Sequence, residues 1–499
     1  MSTRPLLKAS ALLAGGNTAG RILSFAASIL VARLLTPRQF GGFGLIQTTV
    51  GMFGILAGLS LGWMATHYVA RFRTADPERA RQVTVFVLGV GILTSASVAA
   101  LLFGAAPALA GRALSNPELT LPLRVASVQL FVSSVFGILT GVLTGLERFG
   151  LNSIANVLQN LLILPATCLL APFWGVTGAL VAQIAGFTAG AAFALWHVMR
   201  FLAGFRMADL PAVIRRELRL VSDFCVPALA CSFLIFPAMW LAQMILSRQP
   251  LGLEQVALFT AADRFRQLII FLANFVSVAA FPMLSGMAPS EGARFGHTME
   301  LSLLMCSFWT LPVACGLALA GPFAMGMFGA AYRSRPEVFL SVLGWAVAAA
   351  LSGMLATGLT AAGRMWLQVW QSLAYGGVVI AVTWLRRDAG ALALAQANLA
   401  AAVVQLVWSC AWLLKNGRIH GRAAGILAAD AVWIGAFCGA ARLVPAGWGL
   451  ALAPAAVTFT LSGLFVGVLN GRERRQVDRE IVGPALAWLA LAARVGVAR

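Results

Sequence analysis

"GGNTAGRILSFAASILVARLL" (Gly15–Leu35) is the stretch on which the fold turns. It is apolar for about six helical turns, with Lys8 and Arg33 as flanking anchors, so it reads as a membrane-crossing helix. Arg21 interrupts it. At about 1.5 Å of rise per residue, Arg21 lies about 18 Å from Arg33 and about 20 Å from Lys8. A permanent charge therefore sits near the middle of an apolar layer about 30 Å thick. Inserting it costs about 2.5–3.5 kcal/mol, so it needs a partner or a use.

The rest of the chain fits that reading. Of 499 residues, 60% are hydrophobic and 11% charged; a soluble domain carries about 25% charged residues. The net charge is +19, but the basic residues lie between long apolar runs. They read as a topology signal rather than a nucleic-acid surface. All seven cysteines sit in apolar runs without a Cys-x-x-Cys pair and read as small hydrophobes. The four histidines have no metal-ligand spacing. No disulfide, metal or cofactor is expected. The N-terminal run could pass for a signal peptide, but Arg21 breaks it and no polar domain follows, so an uncleaved first helix is expected.

Apolar runs predict fourteen helices: 11–34, 44–69, 83–109, 125–146, 151–170, 175–199, 224–246, 256–284, 301–327, 338–361, 365–385, 389–414, 424–440 and 447–469. With the N-terminus cytoplasmic, 23 of the 36 Lys and Arg fall on the cytoplasmic side and 10 on the other, with three inside helices. The positive-inside rule then puts both termini in the cytoplasm of a multi-pass inner-membrane protein. The organisation expected is a six-helix bundle (1–205), an amphipathic cytoplasmic linker (206–222), a second six-helix bundle (223–415), two additional helices (416–470) and a basic tail with an interfacial helix (471–499).

The two bundles carry an internal repeat. Gln39 of "PRQFGGFG" and Gln255 of "LEQVALFT" differ by 216 positions, as do Phe43 and Phe259. Arg148 of "TGLERFGLN" and Arg364 of "TGLTAAGRM" differ by the same number. "GALVAQ" (Gly178–Gln183) resembles "GALALAQ" (Gly390–Gln396), offset by 212 at the glycine. Six helices per unit make the repeats parallel, related by an axis along the membrane normal. The fold class is thus an all-α integral membrane protein, two six-helix bundles plus two C-terminal helices. Two such bundles suggest a central cavity and alternating access, and no cluster of catalytic groups points to an enzyme.

Charges within spans are the candidate site. The eighth span holds "TAADRFRQL" (Thr260–Leu268), where Asp263 and Arg266 have the i,i+3 spacing of a pair and Arg264 points about 100° away. With Arg21 and its neighbour Asn17, these residues are expected to line an anion-accepting cavity, since guanidinium forks match phosphate and carboxylate. Arg148 and Arg364 are expected at a cytoplasmic gate or against lipid phosphates, and Asp430, a further buried acid, in ion coupling.

"ILVARLLTPRQFGGFGLIQ" (Ile29–Gln47), "GVLTGLERFGLNSIANVLQN" (Gly141–Asn160) and "GVTGALVAQ" (Gly175–Gln183) resemble the bacterial polysaccharide flippases, of the superfamily that includes multidrug and toxin exporters and lipid II flippases. Thr36-Pro37 stands where that signature often has Gly-Pro. The resemblance implies flipping of undecaprenyl-diphosphate-linked oligosaccharide for O-antigen, capsule or exopolysaccharide synthesis. It also implies substrate handling by an arginine placed like Arg21. The implied partners are the lipid-linked substrate, bilayer lipids, a coupling ion, and a polysaccharide polymerase and glycosyltransferases. The alternatives are a multidrug or cation antiporter of the same fold, or a lipid II-type flippase, whose dense arginine set this chain lacks.

Overall fold

The computed structural model describes residues 4–58, 61–203, 233–287, 292–443 and 446–467. The expected linker (206–222) and basic tail (471–499) lie outside these. Among the described residues there are helices and no strand: α1 (Arg4–Leu34), α2 (Pro37–Gly58), α3 (Leu61–Phe72), α4 (Pro77–Ala108), α5 (Thr120–Gly145) and α6 (Phe149–Leu202). They continue with α7 (Phe233–Ser247), then α8 (Gly252–Ser285), α9 (Gly292–Leu319), α10 (Gly321–Gly326), α11 (Pro336–Ala361), α12 (Met365–Leu385), α13 (Ala391–Lys415), α14 (Gly421–Leu443) and α15 (Ala446–Gly467). Ten of the described helices are long and apolar enough to cross a membrane.

Helices start earlier than the apolar runs. Pro37, Pro77 and Pro336 each open a helix, where the missing N–H costs nothing. Asp76 caps α4 by accepting the Arg79 backbone N–H at 3.0 Å. Hydropathy marks the apolar layer, whereas caps mark the helix ends, so the expected starts at Gly44, Val83 and Val338 move back. "PRQFGGFG" is the first two turns of α2 rather than a loop. The expected span 301–327 divides at Ala320, whose ψ of 8° ends one helix before α10 begins.

The fifth and sixth expected spans are two arms of α6. Gly175 (φ 56°, ψ −131°) reverses the chain between them. A Cβ on Gly178, Gly186 or Gly190 would lie 2.2, 2.6 or 3.1 Å from the carbonyl oxygens of Leu170, Gln159 and Ala155. The arms therefore run antiparallel in close contact. Gly390 (φ 65°, ψ −132°) makes the same reversal between α12 and α13. This corrects the third repeat match: Gly390 is the counterpart of Gly175, not of Gly178, an offset of 215. The two glutamines follow suit. Gln39 Nε2 lies 3.3 Å from where a Gly175 Cβ would be, and Gln255 Oε1 lies 2.9 Å from that of Gly390 and accepts the Ala391 N–H at 3.1 Å. The Arg148 and Arg364 turns match bond for bond: each arginine N–H donates to a carbonyl five residues back, Leu143 and Leu359, at 2.9 Å.

In the first half α1 packs on α6 and α5 on α4 and α6; in the second α11 packs on α8 and α13. α2 lies along α8 and joins the halves. That seam is built on glycine: a Cβ on Gly41 would lie 1.7 Å from the Leu253 carbonyl oxygen, and one on Gly44 2.4 Å from Thr260 Oγ1. Around it Phe25 meets Phe265 (ring centroids 5.1 Å) and Phe40 meets Tyr332 (5.9 Å). Each such pair adds about 0.5–1.5 kcal/mol beyond its buried area. The halves are thus closed on each other at the end where α1 passes into α2, here the Arg38 end.

Candidate substrate cavity

Midway along the seam, where α2 leaves its closest contact with α8, a cavity of about 560 Å³ opens between the halves. α8 supplies its charges because one helical turn, Asp263 to Gln267, faces it. Arg266 Nε donates to Asp263 Oδ1 at 2.5 Å, and Gln267 Nε2 to Asp263 Oδ2 at 2.8 Å. The Arg266 guanidinium also lies 4.0 Å from the centroid of the Trp345 ring. Arg266 is therefore neutralised and held in place. Arg264 is not: its Nε is buried and donates to no described group. Of the three charged side chains on this wall, one guanidinium is left for an anion.

The other walls are neutral and polar. Gln47, Thr48, Gln243, Tyr375 and Gln405 all line the cavity. Thr48 donates to Gln243 Oε1 across the halves at 2.8 Å. A second cavity of about 540 Å³, sharing Gly51, continues along α2, α3 and α5 to Thr144, beside the Arg148 turn. The route into the site thus runs from the Arg148 end, opposite the closed Arg38 end.

The structure brings together only part of the expected set. Asp263, Arg264 and Arg266 share the cavity. Arg21 does not line it. Gly20 faces Asn160 of α6 at 3.6 Å, which turns the next residue towards α8, and the Arg21 guanidinium lies 5.5 Å from the centroid of Phe271. Arg21 is exposed in the cleft between α1 and α8. Asn17 lies one turn earlier on α1, and its side chain is outside the described set. Arg148 and Arg364 are exposed at the helix turns, Arg364 at 5.8 Å from the Trp412 ring. Asp430 is elsewhere: it accepts from Ser307 Oγ at 2.5 Å and borders an apolar cavity of about 680 Å³ between α11, α13 and α14. Sequence reasoning missed the glutamines, Trp345 and Tyr375. A signal existed for Gln47, which is 216 positions before Asp263.

The chain is 26% identical over 385 residues to the EPS I polysaccharide export inner membrane protein EpsE of Ralstonia nicotianae, covering 76% of this chain and 86% of that protein. EpsE of Ralstonia solanacearum is 25% identical over 384 residues, with the same coverage of both chains. Among solved structures, the lipid II flippase MurJ in an inward closed conformation superposes with a TM-score of 0.70 at 13% identity, covering 91% of this chain and 98% of that one. An inward-facing MATE multidrug transporter superposes with a TM-score of 0.65 at 19% identity, covering 79% and 94%. These structures share the fold. The family model for polysaccharide biosynthesis proteins matches residues 6–288, more than half of the chain, and the chain belongs to that family.

Proposed function

We propose that this protein flips an undecaprenyl-diphosphate-linked oligosaccharide across the bacterial inner membrane by alternating access, for surface polysaccharide synthesis. The observation that carries this reading is the cavity between the halves with Arg264 in its wall, its Nε donating to no described group. A guanidinium without a protein partner in a low-dielectric site favours a phosphate or carboxylate. The export function named for the EpsE relatives supports the polysaccharide class. The positive-inside charge bias supports cytoplasmic termini, which makes the Arg148 end cytoplasmic and the closed Arg38 end periplasmic. A cation antiporter of the same fold fits less well, because the acid in the cavity, Asp263, is committed to Arg266 and Gln267. Energy would come from an ion gradient or from consumption of the flipped product by a polymerase.

The test is deletion of the gene followed by analysis of surface glycan and lipid-linked precursors. Loss of surface polymer with precursor accumulating on the cytoplasmic leaflet is expected. Unchanged surface glycan together with a new sensitivity to cationic drugs would overturn the proposal in favour of the antiporter.

A further inference from the structure

Three glutamines from three helices of the first half meet in one cluster. Gln47 Nε2 (α2) donates to Gln183 Oε1 (α6) at 2.7 Å. Gln129 Nε2 (α5) donates to the same oxygen at 2.5 Å and to Gln47 Oε1 at 3.3 Å. Gln129 is buried and Gln47 is in the cavity wall. Gln183 Nε2 donates to no described group. A neutral amide both donates and accepts, two bonds each way, so the trio holds itself in place and keeps spare capacity.

The repeat gives the cluster its meaning. With the offsets of 216 and 215 fixed by the matching turns, Gln47 corresponds to Asp263, Gln129 to Trp345 and Gln183 to Asn398. Of the wall residues of the second half, Asp263 and Trp345 have amides as counterparts, and Arg264 and Arg266 have Thr48 and Val50, so the first half carries no charge at these positions. Gln47 on α2 faces the same cavity as Asp263 on α8. An amide cluster offers nothing special to a phosphate, which Arg264 takes better. It matches vicinal hydroxyls, each of which donates and accepts.

We propose that Gln47, with Gln129 and Gln183 as positioning residues, forms a saccharide half-site that reads sugar hydroxyls while the α8 wall takes the anionic group. This rests on the flippase reading and assigns the parts of the substrate within it.

The test uses the full chain in nanodiscs with two probes: undecaprenyl diphosphate without sugar, and the lipid-linked oligosaccharide extracted from a strain deleted for this gene. The wild-type protein should bind the sugar-bearing lipid about tenfold more tightly, the discrimination of one or two hydrogen bonds. Gln47→Met conserves volume and should bring the two affinities together without weakening binding of the bare lipid. Gln183→Met, which leaves the wall residue in place, should shift the ratio the same way and serves if Gln47→Met does not fold. Retention of the full preference in either folded variant overturns the half-site. Binding of bare lipid without a sugar preference in the wild type also overturns it and leaves the flippase reading standing. Binding of neither lipid sinks both.

Discussion

Arg33 and Arg248 are repeat counterparts, 215 positions apart, and each reaches into the other half of the molecule. Arg33 Nε donates to the Met327 carbonyl at 2.7 Å. Arg248 donates through Nε to the Ala113 carbonyl at 2.9 Å and through Nη2 to the Arg112 carbonyl at 2.6 Å. The acceptors lie in corresponding connections, Arg112 between α4 and α5 and Met327 between α10 and α11. The pair forms two reciprocal latches across the Arg38 end. Both are exposed, so each is worth about 1 kcal/mol. The double variant Arg33→Ala/Arg248→Ala should lose about 2 kcal/mol of closure, about a thirtyfold shift in the closed-to-open ratio. Spin labels at Leu121 and Ser334, in a background without the native cysteines, should report a new long-distance population. An unchanged distance distribution would show that the latches do not hold the end shut.

The glycine seam makes a sharper demand. Any side chain at Gly41 must displace the Leu253 backbone, because even a Cβ falls 1.7 Å from its carbonyl oxygen. Gly41→Val should therefore prevent closure, at a cost of about 1–3 kcal/mol or more, and block transport in a protein that still inserts. Gly44→Ala should be milder, because its Cβ meets the Thr260 side chain, Oγ1 at 2.4 Å and Cγ2 at 3.1 Å, rather than backbone. Equal activity of Gly41→Val and wild type in restoring surface polymer to a deletion strain would dismiss the seam as a gate.

Arg264 and Arg266 are separated by their partners rather than their distance from the cavity. Arg264→Leu removes a half-buried guanidinium whose Nε has no partner among the described residues, which should leave thermal stability unchanged or raised while transport falls at least about tenfold, the loss of one charge-assisted hydrogen bond. Arg266→Leu leaves Asp263 only the Gln267 amide, and a charge that loses its ion-pair partner is destabilising by up to about 3–5 kcal/mol. Thermal denaturation of the purified variants beside a transport assay distinguishes them. A large stability loss in Arg264→Leu would show that it has a structural partner after all.

Arg21 should behave as a functional residue in the cleft between the halves. Its ring contact with Phe271 is worth only about 0.5–1 kcal/mol at an exposed site, so Arg21→Ala should insert and denature like the wild type yet abolish surface polysaccharide. Full surface polymer in that strain would remove Arg21 from substrate handling.

The all-helical membrane fold was legible because an apolar layer writes itself directly into composition. Helix starts were not, since the first turns at Pro37, Pro77 and Pro336 are polar and lie outside that layer. The repeat was legible where letters survive, as at Gln39 and Gln255. It slipped at Gly178 because the letters matched there while the backbone reversal is at Gly175. It also shows at "SNPE" (Ser115–Glu118), just before α5, and "SRPE" (Ser334–Glu337), which runs into the first turn of α11, where four letters are too short a match to stand out. Asp263, Arg264 and Arg266 stood out because charge is rare in a span. Gln47, Gln129 and Gln183 did not, because amides are ordinary at helix contacts and their counterparts carry different letters. The arginine latches left no trace at all, since they end on backbone carbonyls that every residue has.

Gly175 and Gly390 allow the repeat to be tested by stability alone. Both sit at positive φ with ψ near −130°, a region that costs a residue with a Cβ about 1–3 kcal/mol. Their surroundings differ in one respect. A Cβ at Gly390 falls 2.9 Å from Gln255 Oε1, against 3.3 Å from Gln39 Nε2 at Gly175, and Gln255 is already fixed by the Ala391 N–H. Gly390→Ala should therefore lower the denaturation temperature more than Gly175→Ala. Adding Gln255→Ala to Gly390→Ala removes the clash but keeps the backbone strain, so it should recover only part of the loss. Full recovery would mean that the steric contact, not the backbone conformation, is what requires glycine at this reversal.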